Sequence, residues 1–95
     1  MNDATFEGPF GLLSEAVRDK KPVLITSRGE KKVYAHVVAY DKHLNLILKD
    51  VCEVWKAKRA ADAPLHKKRV AQMFLRGDNV AAVILNPAEY ASVTV

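Results

Sequence analysis

The sequence predicts a mainly β domain: an N-terminal helix followed by a strongly bent five-stranded antiparallel sheet. Three observations carry that prediction. Apolar residues recur at helical spacing near the N-terminus. After that stretch, short apolar runs alternate with period two and are divided by turns bearing Gly, Asp or Asn, which is how antiparallel strands read. The third run changes phase midway, and a phase slip in a long strand calls for a bulge or a sharp bend.

The helix is expected over residues 9–19. Leu12, Leu13, Ala16 and Val17 form one stripe, while Ser14, Glu15, Arg18 and Asp19 face away. Pro9 suits a first turn, where its missing N–H costs nothing. Pro22 cannot continue the helix. Three turns are marginal alone, so the stripe must lie on something apolar.

That surface is the sheet. The first strand, Pro22–Ser27, holds Val23, Ile25 and Thr26, and Arg28-Gly29-Glu30-Lys31 is its turn. In the second, Lys32–Tyr40, Val33, Ala35, Val37 and Ala39 share one face, and Tyr34, His36, Val38 and Tyr40 the other. Asp41-Lys42-His43-Leu44 turns the chain into a long third strand over 45–55. There Leu46 and Leu48 have one parity, Val51 and Trp55 the other, with Lys49 and Asp50 at the change. Residues 57–69 follow neither period and contain Pro64, so they are expected as a loop. Two last strands, 70–75 and 80–86, flank the turn Arg76-Gly77-Asp78-Asn79, and Pro87 ends the second. The expected organisation is a short arm over 1–8, a domain over 9–87 and a tail over 88–95.

Size and composition exclude several classes of function. Ninety-five residues and 10.5 kDa make one small domain, too small for a two-domain enzyme or a large internal cavity. The single cysteine, Cys52, excludes an intrachain disulfide framework and a cysteine-rich zinc site. It reads as a small buried hydrophobe kept reduced. No apolar run reaches the length of a membrane-spanning helix, and residues 1–11 lack the pattern of a signal peptide. There is no Gly-rich phosphate loop and no metal-ligand spacing, so neither cofactor, metal nor small-molecule substrate is expected, and the chain does not read as an enzyme. The net charge of +4 permits nucleic-acid binding. Lys56, Lys58, Arg59, Lys67, Lys68 and Arg69 are clustered and offset only by Asp62, giving either a solvated loop or one facing phosphate or an acidic partner.

Residues 71–75 and 80–85 contain no charge. Edge strands of monomers are usually protected by charge, proline or bulges, and one helix cannot cover both faces of such a sheet. An uncharged apolar pair at the end of a small sheet points to burial by another chain.

Two clusters resemble the two halves of the Sm motif. Tyr40-Asp41-Lys42-His43-Leu44-Asn45 has the aromatic-Asp-x-x-apolar-Asn form, and Phe74-Leu75-Arg76-Gly77-Asp78 the apolar-Arg-Gly-Asp form. Either alone is weak. In order, each at a strand-to-strand turn and after a helix, they are a strong signal, and the likeness runs over nearly the whole chain. Glu53-Val54-Trp55 and the basic stretch after it resemble one D-type member of the family, and the ending Asn86-Pro87-Ala88 lacks the Arg-Gly-rich tail that the other D-type and the B-type members often carry.

The resemblance implies an Sm-like small barrel, and a heteroheptameric Sm ring around the uridine-rich site of spliceosomal small nuclear RNAs. The ring neighbours it implies are the D-one and F-type Sm proteins, with a nuclear location and a cytoplasmic assembly phase. A like-Sm subunit of an RNA-decay ring and an architectural subunit without RNA contact remain alternatives. The residue chemistry suits RNA. Arg76 and His43 offer planes on which a base can stack, Asn45 offers an amide donor and acceptor, and Lys42 can reach a phosphate. Gly77 either adopts a positive φ or admits RNA to the backbone. Asp41 and Asp78 would repel phosphate and are expected as loop braces, accepting backbone or Asn45 hydrogen bonds. In such a ring, strand four pairs with the next subunit's strand five, which places Met73, Phe74, Val83 and Leu85 at the subunit interface.

Overall fold

The apolar stripe forms helix α1 (Gly8–Arg18). The structure, a computed structural model, describes residues 8–56 and 64–94, with side chains from residue 10 onward. The arm expected before the helix therefore lies outside the described residues except at Gly8, as do Lys58, Arg59 and Asp62. Leu13 and Ala16 are buried, and Leu12 and Val17 pack beside them. The helix ends by hydrogen bonding: Lys21 N–H reaches back to the Ala16 carbonyl at 3.0 Å across Lys20, whose φ is 56°. A left-handed residue followed by this six-to-one bond is the Schellman stop. It delivers the chain directly to the first strand.

The strands are β1 (Pro22–Ser27), β2 (Lys32–Tyr40), β3 (Leu46–Lys56), β4 (Leu65–Leu75) and β5 (Val80–Leu85). They form one antiparallel sheet in the order β4-β3-β2-β1-β5. One face, with Leu13 and Ala16 of α1, builds the main core from Val23, Ile25, Val33, Ala35, Val37, Leu46, Leu48 and Val51. The opposite face carries Leu24, Tyr34, Cys52 and Val54. The expected phase slip is a bulge. Tyr34 pairs with Cys52 and His36 with Lys49, so β3 holds an extra residue there, and Asp50 turns to φ 52°. That extra residue is how Leu48 and Val51, of opposite parity, enter the same core.

Two expectations are corrected. The loop expected over 57–69 is shorter, because β4 begins at Leu65 and pairs with β3 from Lys56↔Leu65 and Trp55↔His66 to Cys52↔Arg69. All side chains from Leu65 to Arg69 are exposed, so no apolar alternation marks this half of the strand. Its order comes from the backbone of β3. Nor do the last two strands lie side by side. They occupy opposite edges, β4 on β3 and β5 on β1, with Leu24↔Ile84 and Ile25↔Val83 in register. In a flat sheet those edges would be about 19 Å apart. Residues 76–79 join them through a 3-10 turn, Gly77–Asn79, which rises only about 2 Å per residue. The sheet must curl until its edges converge at this end.

The tail holds a helical turn, α2 (Tyr90–Val93), that periodicity did not reveal. Tyr90 and Val93 pack on the Leu24, Tyr34, Cys52 and Val54 face. Tyr34 donates its hydroxyl to Glu89 Oε2 at 3.0 Å. Burial, reinforced by that carboxylate, pushes the Tyr34 pKa up to about 12. Tyr90 stands edge-on to His36, with ring centroids 5.6 Å apart. Cys52 is a buried free thiol. Trp55 is stacked on His66 and covered by the Lys31 ammonium at 5.1 Å, so it is occupied within the fold.

Candidate nucleic-acid interface

Antiparallel pairing of β3 with β4 brings the two motif turns together. β3 leaves the first turn at Leu46, and β4 enters the second from Leu75; these residues are direct cross-strand partners. The two halves of the motif, some thirty positions apart in sequence, thus sit at one end of a single strand pair.

Asp41 organises the first turn. Its Oδ1 accepts the N–H groups of His43 at 2.8 Å and Asn45 at 3.0 Å, and its Oδ2 accepts Asn45 Nδ2 at 3.0 Å. The Asn45 side-chain bond, with the two backbone bonds, holds the Asp41 carboxyl below the usual carboxylate range. Leu44 closes the turn with φ 64° and its N–H on the Asp41 carbonyl at 3.0 Å. Lys42 and His43 are exposed at its tip.

Asn45 then ties this turn to the next, its Oδ1 accepting Gly77 N–H at 2.8 Å. Gly77 is needed for a reason other than those expected. Its φ is not in the left-handed region, and its side-chain direction faces protein backbone: an added Cβ would sit 1.8 Å from the His43 carbonyl oxygen. The glycine lets the two turns touch.

Asp78 departs from its expected role. Its carboxylate lies 3.7 Å from Arg76 Nε instead of bracing backbone or Asn45. The brace on this turn is Arg28, whose Nε donates to the Asp78 carbonyl at 2.7 Å and whose N–H donates to the Asn79 carbonyl at 3.0 Å. Arg28 was missed because its role depends on β1 lying beside β5, a pairing no local pattern announces. Arg76 itself is largely exposed.

The resulting surface presents an imidazole at His43 and a guanidinium at Arg76 on abutting turns, with Lys42 beside them. Asn45 lies half-buried between. Each polar atom of its amide spends one valence inside the protein, leaving one N–H and one lone pair. A base edge with one acceptor and one donor can meet both.

The expected interface residues divide. Met73, Val83 and Leu85 are partly buried against their own core. Phe74 is 62% exposed, as are Ile84 at 50% and Ile47, the cross-strand partner of Phe74, at 44%. Both open edges therefore present apolar side chains outward. Among the described residues no helix is long and apolar enough to cross a membrane, and no cluster of His, Cys, Asp and Glu could hold a metal.

The fold agrees with solved structures that the chain matches. The LSM domain profile matches residues 15–85, and the chain belongs to that family. Within it, the chain is similar to the small nuclear ribonucleoprotein Sm D2 of Schizosaccharomyces pombe. The two are 40% identical over 87 residues, covering 85% of this chain and 76% of that protein. Among solved structures, it is similar to the Sm protein of Pyrococcus abyssii in complex with a uridine heptamer. There the TM-score is 0.65 and the identity 25%, covering 83% of this chain and 99% of the other. A heptameric archaeal Sm protein superposes with a TM-score of 0.60 at 27% identity, covering 79% and 96%.

Proposed function

We propose that this chain is a non-enzymatic core subunit of a seven-membered Sm ring, of the kind that binds the uridine-rich site of spliceosomal small nuclear RNAs. One observation carries the reading: the Asp41–Asn45–Gly77 chain of hydrogen bonds welds the two motif turns into a single surface bearing His43, Asn45 and Arg76. Similarity to Sm D2 of S. pombe supports the spliceosomal assignment and with it a nuclear location; assembly in the cytoplasm is part of the same proposal. The archaeal protein with a uridine heptamer supports uridine as the base. In this reading a uracil stacks between His43 and Arg76, Asn45 meets its edge, and Lys42 meets a phosphate.

The unpaired edges supply the assembly. β4 of one subunit pairs with β5 of the next, and Phe74 and Ile84 are covered between them, which is β-augmentation closed into a ring. Met73, Val83 and Leu85 back this contact from the core side. The neighbours are the D-one and F-type Sm proteins.

The test is Arg76→Ala in the assembled ring, titrated with uridine-rich and adenosine-rich single strands. Loss of one stacking plane is worth about 1–3 kcal/mol, so affinity for the uridine strand falls roughly 5- to 150-fold, and the preference for uridine falls with it. Lys58→Ala removes only charge and weakens both strands alike, in a salt-dependent manner. Equal, purely salt-dependent losses for both variants would refute a stacking site.

A further inference from the structure

Two cations of β4 are held by backbone carbonyls of the C-terminal segment. Lys67 Nζ donates to the Val93 carbonyl at 2.9 Å, and Arg69 donates through Nη2 to the Thr94 carbonyl. They are alternate residues of one strand, across from Val54 and Cys52. Among the described residues no carboxylate forms an ion pair with either. A carbonyl is a neutral acceptor, so it occupies these donors without cancelling their charge. A phosphate oxygen would do both, and charge-assisted hydrogen bonds are roughly twice as strong as neutral ones.

The segment that holds them is lightly seated. α2 is four residues long, too short to be stable without its contacts. A cavity of about 410 Å³ opens between it and the sheet, lined by Asp50, Cys52, Arg69, Val70, Tyr90 and Thr94. Among the described residues, what fastens it besides the two cations is the Tyr34–Glu89 hydrogen bond, the contact of Tyr90 with His36 through its ring and through its hydroxyl, 3.5 Å from Nδ1, and the apolar contact of Tyr90 and Val93.

We propose that residues 89–94 form a displaceable strap over a second RNA site, at which Lys67 and Arg69 take phosphates of a single strand once the strap lifts. The site is separate from the motif turns. Lys67 precedes Leu75 by eight positions in β4, about 26 Å at 3.3 Å per residue. The inference rests on the RNA-binding reading above: a strand held at the turns presents its phosphates to Lys67 and Arg69 at a raised effective concentration. An acidic peptide would have no such tether.

The experiment titrates polyuridine into the 95-residue chain over a salt series. Tyr34→Phe with Tyr90→Ser removes the strap's polar tie and its aromatic seat without changing the net charge. This released variant should bind more tightly. Its slope of log affinity against log salt should steepen by up to about 1.4, since each phosphate neutralised on a single strand contributes about 0.7. Adding Lys67→Ala and Arg69→Ala should abolish the gain. An unchanged slope on release, or a gain that survives loss of both cations, overturns the proposal; an equal gain with polyglutamate overturns the RNA assignment. The wild-type chain provides a measurement that needs no variant. The Val93 and Thr94 amides are bonded to the Glu89 and Tyr90 carbonyls at 3.0 Å each, and their hydrogen exchange should quicken when polyuridine binds. Unchanged exchange in the bound state overturns the strap. Arg76→Ala separates the two readings: if it keeps its uridine-selective loss while the strap variants change nothing, the strap alone has failed. If it has no effect while they behave as expected, the turn site has failed, and Lys67 and Arg69 take RNA without the tether argued above.

Discussion

Replacing Gly77 with alanine tests the coupling of the two turns more sharply than any change at their tips. The new Cβ would lie 1.8 Å from the His43 carbonyl oxygen, 2.9 Å from its carbonyl carbon and 3.0 Å from the Leu44 carbonyl carbon. All three are backbone atoms, so no side chain can rotate aside. To restore even a 3.0 Å contact the turns must separate by at least 1.2 Å, the difference between 3.0 and 1.8. Separation on that scale stretches the 2.8 Å bond from Gly77 N–H to Asn45 beyond hydrogen-bonding distance. Overpacking of about 1–3 kcal/mol and one lost hydrogen bond of about 1 kcal/mol give a destabilisation of about 2–4 kcal/mol. For a domain this small the melting temperature should fall by roughly 10–30 °C. Gly29→Ala is the control, because nothing lies within 4 Å of its added Cβ and its φ is not positive. That change should be neutral or stabilise by about 0.4–1 kcal/mol through the unfolded chain. Thermal and urea melts of both variants in the same buffer are the assay. If the two melt together, the turns do not depend on this close approach. If Gly77→Ala is destabilised but binds polyuridine as the wild type does, the turns are coupled for stability alone.

Leu13→Asp, at a side chain with no exposure in the main core, should destabilise by about 3–5 kcal/mol. Glu15→Ala, which loses only the half-exposed contact with Lys21 at 2.7 Å, should change little; equal melts would show that α1 does not pack on the sheet. Because the Asp41 pKa is depressed by its Asn45 and backbone hydrogen bonds, the stability it contributes is present above the unfolded carboxylate value of about 3.9 and lost as pH falls through the lower folded value. A carboxyl NMR titration should find Asp41 below its ordinary range, and a midpoint at or above it would refute the brace. Phe74→Asp should leave the fold intact, since that side chain is 62% exposed, yet abolish assembly with partner Sm subunits. Sedimentation that shows unimpaired assembly would exclude this edge from the interface.

The residues that were legible in sequence are those for which burial on one face forces a period. Val33, Ala35 and Val37 alternate because they line the main core, and Leu48 and Val51 betray the bulge because both must reach it. From Leu65 to Arg69 both faces of β4 are solvated, so the same strand becomes invisible halfway along. Strand neighbours were illegible for another reason. β4 and β5 are consecutive and separated by a short turn, the usual mark of a hairpin. What sends β5 to β1 is closure of the curled sheet, a property of all five strands together. The tail was silent because two apolar contacts, Tyr90 and Val93, are too few to set a period.

At the turns, the motif singled out residues that the fold brings together, but not what each does there. Read alone, Asn45 is an amide free to present either end to a base. In the fold its orientation is fixed: Nδ2 must face the acceptor Asp41, and Oδ1 must face the donor Gly77. Turning the amide over would set donor against donor and acceptor against acceptor, forfeiting two hydrogen bonds at about 1 kcal/mol each before the mismatch itself is counted. The remaining N–H and lone pair are therefore held in one order, which suits the carbonyl and imino groups of uracil. Cytosine offers an acceptor nitrogen where uracil has its imino donor, and would require the reverse order. On the proposed reading, preference for uridine is thus a property of Asp41 and Gly77 as much as of Asn45: neither need touch the RNA, and without them the amide could turn to suit either pyrimidine.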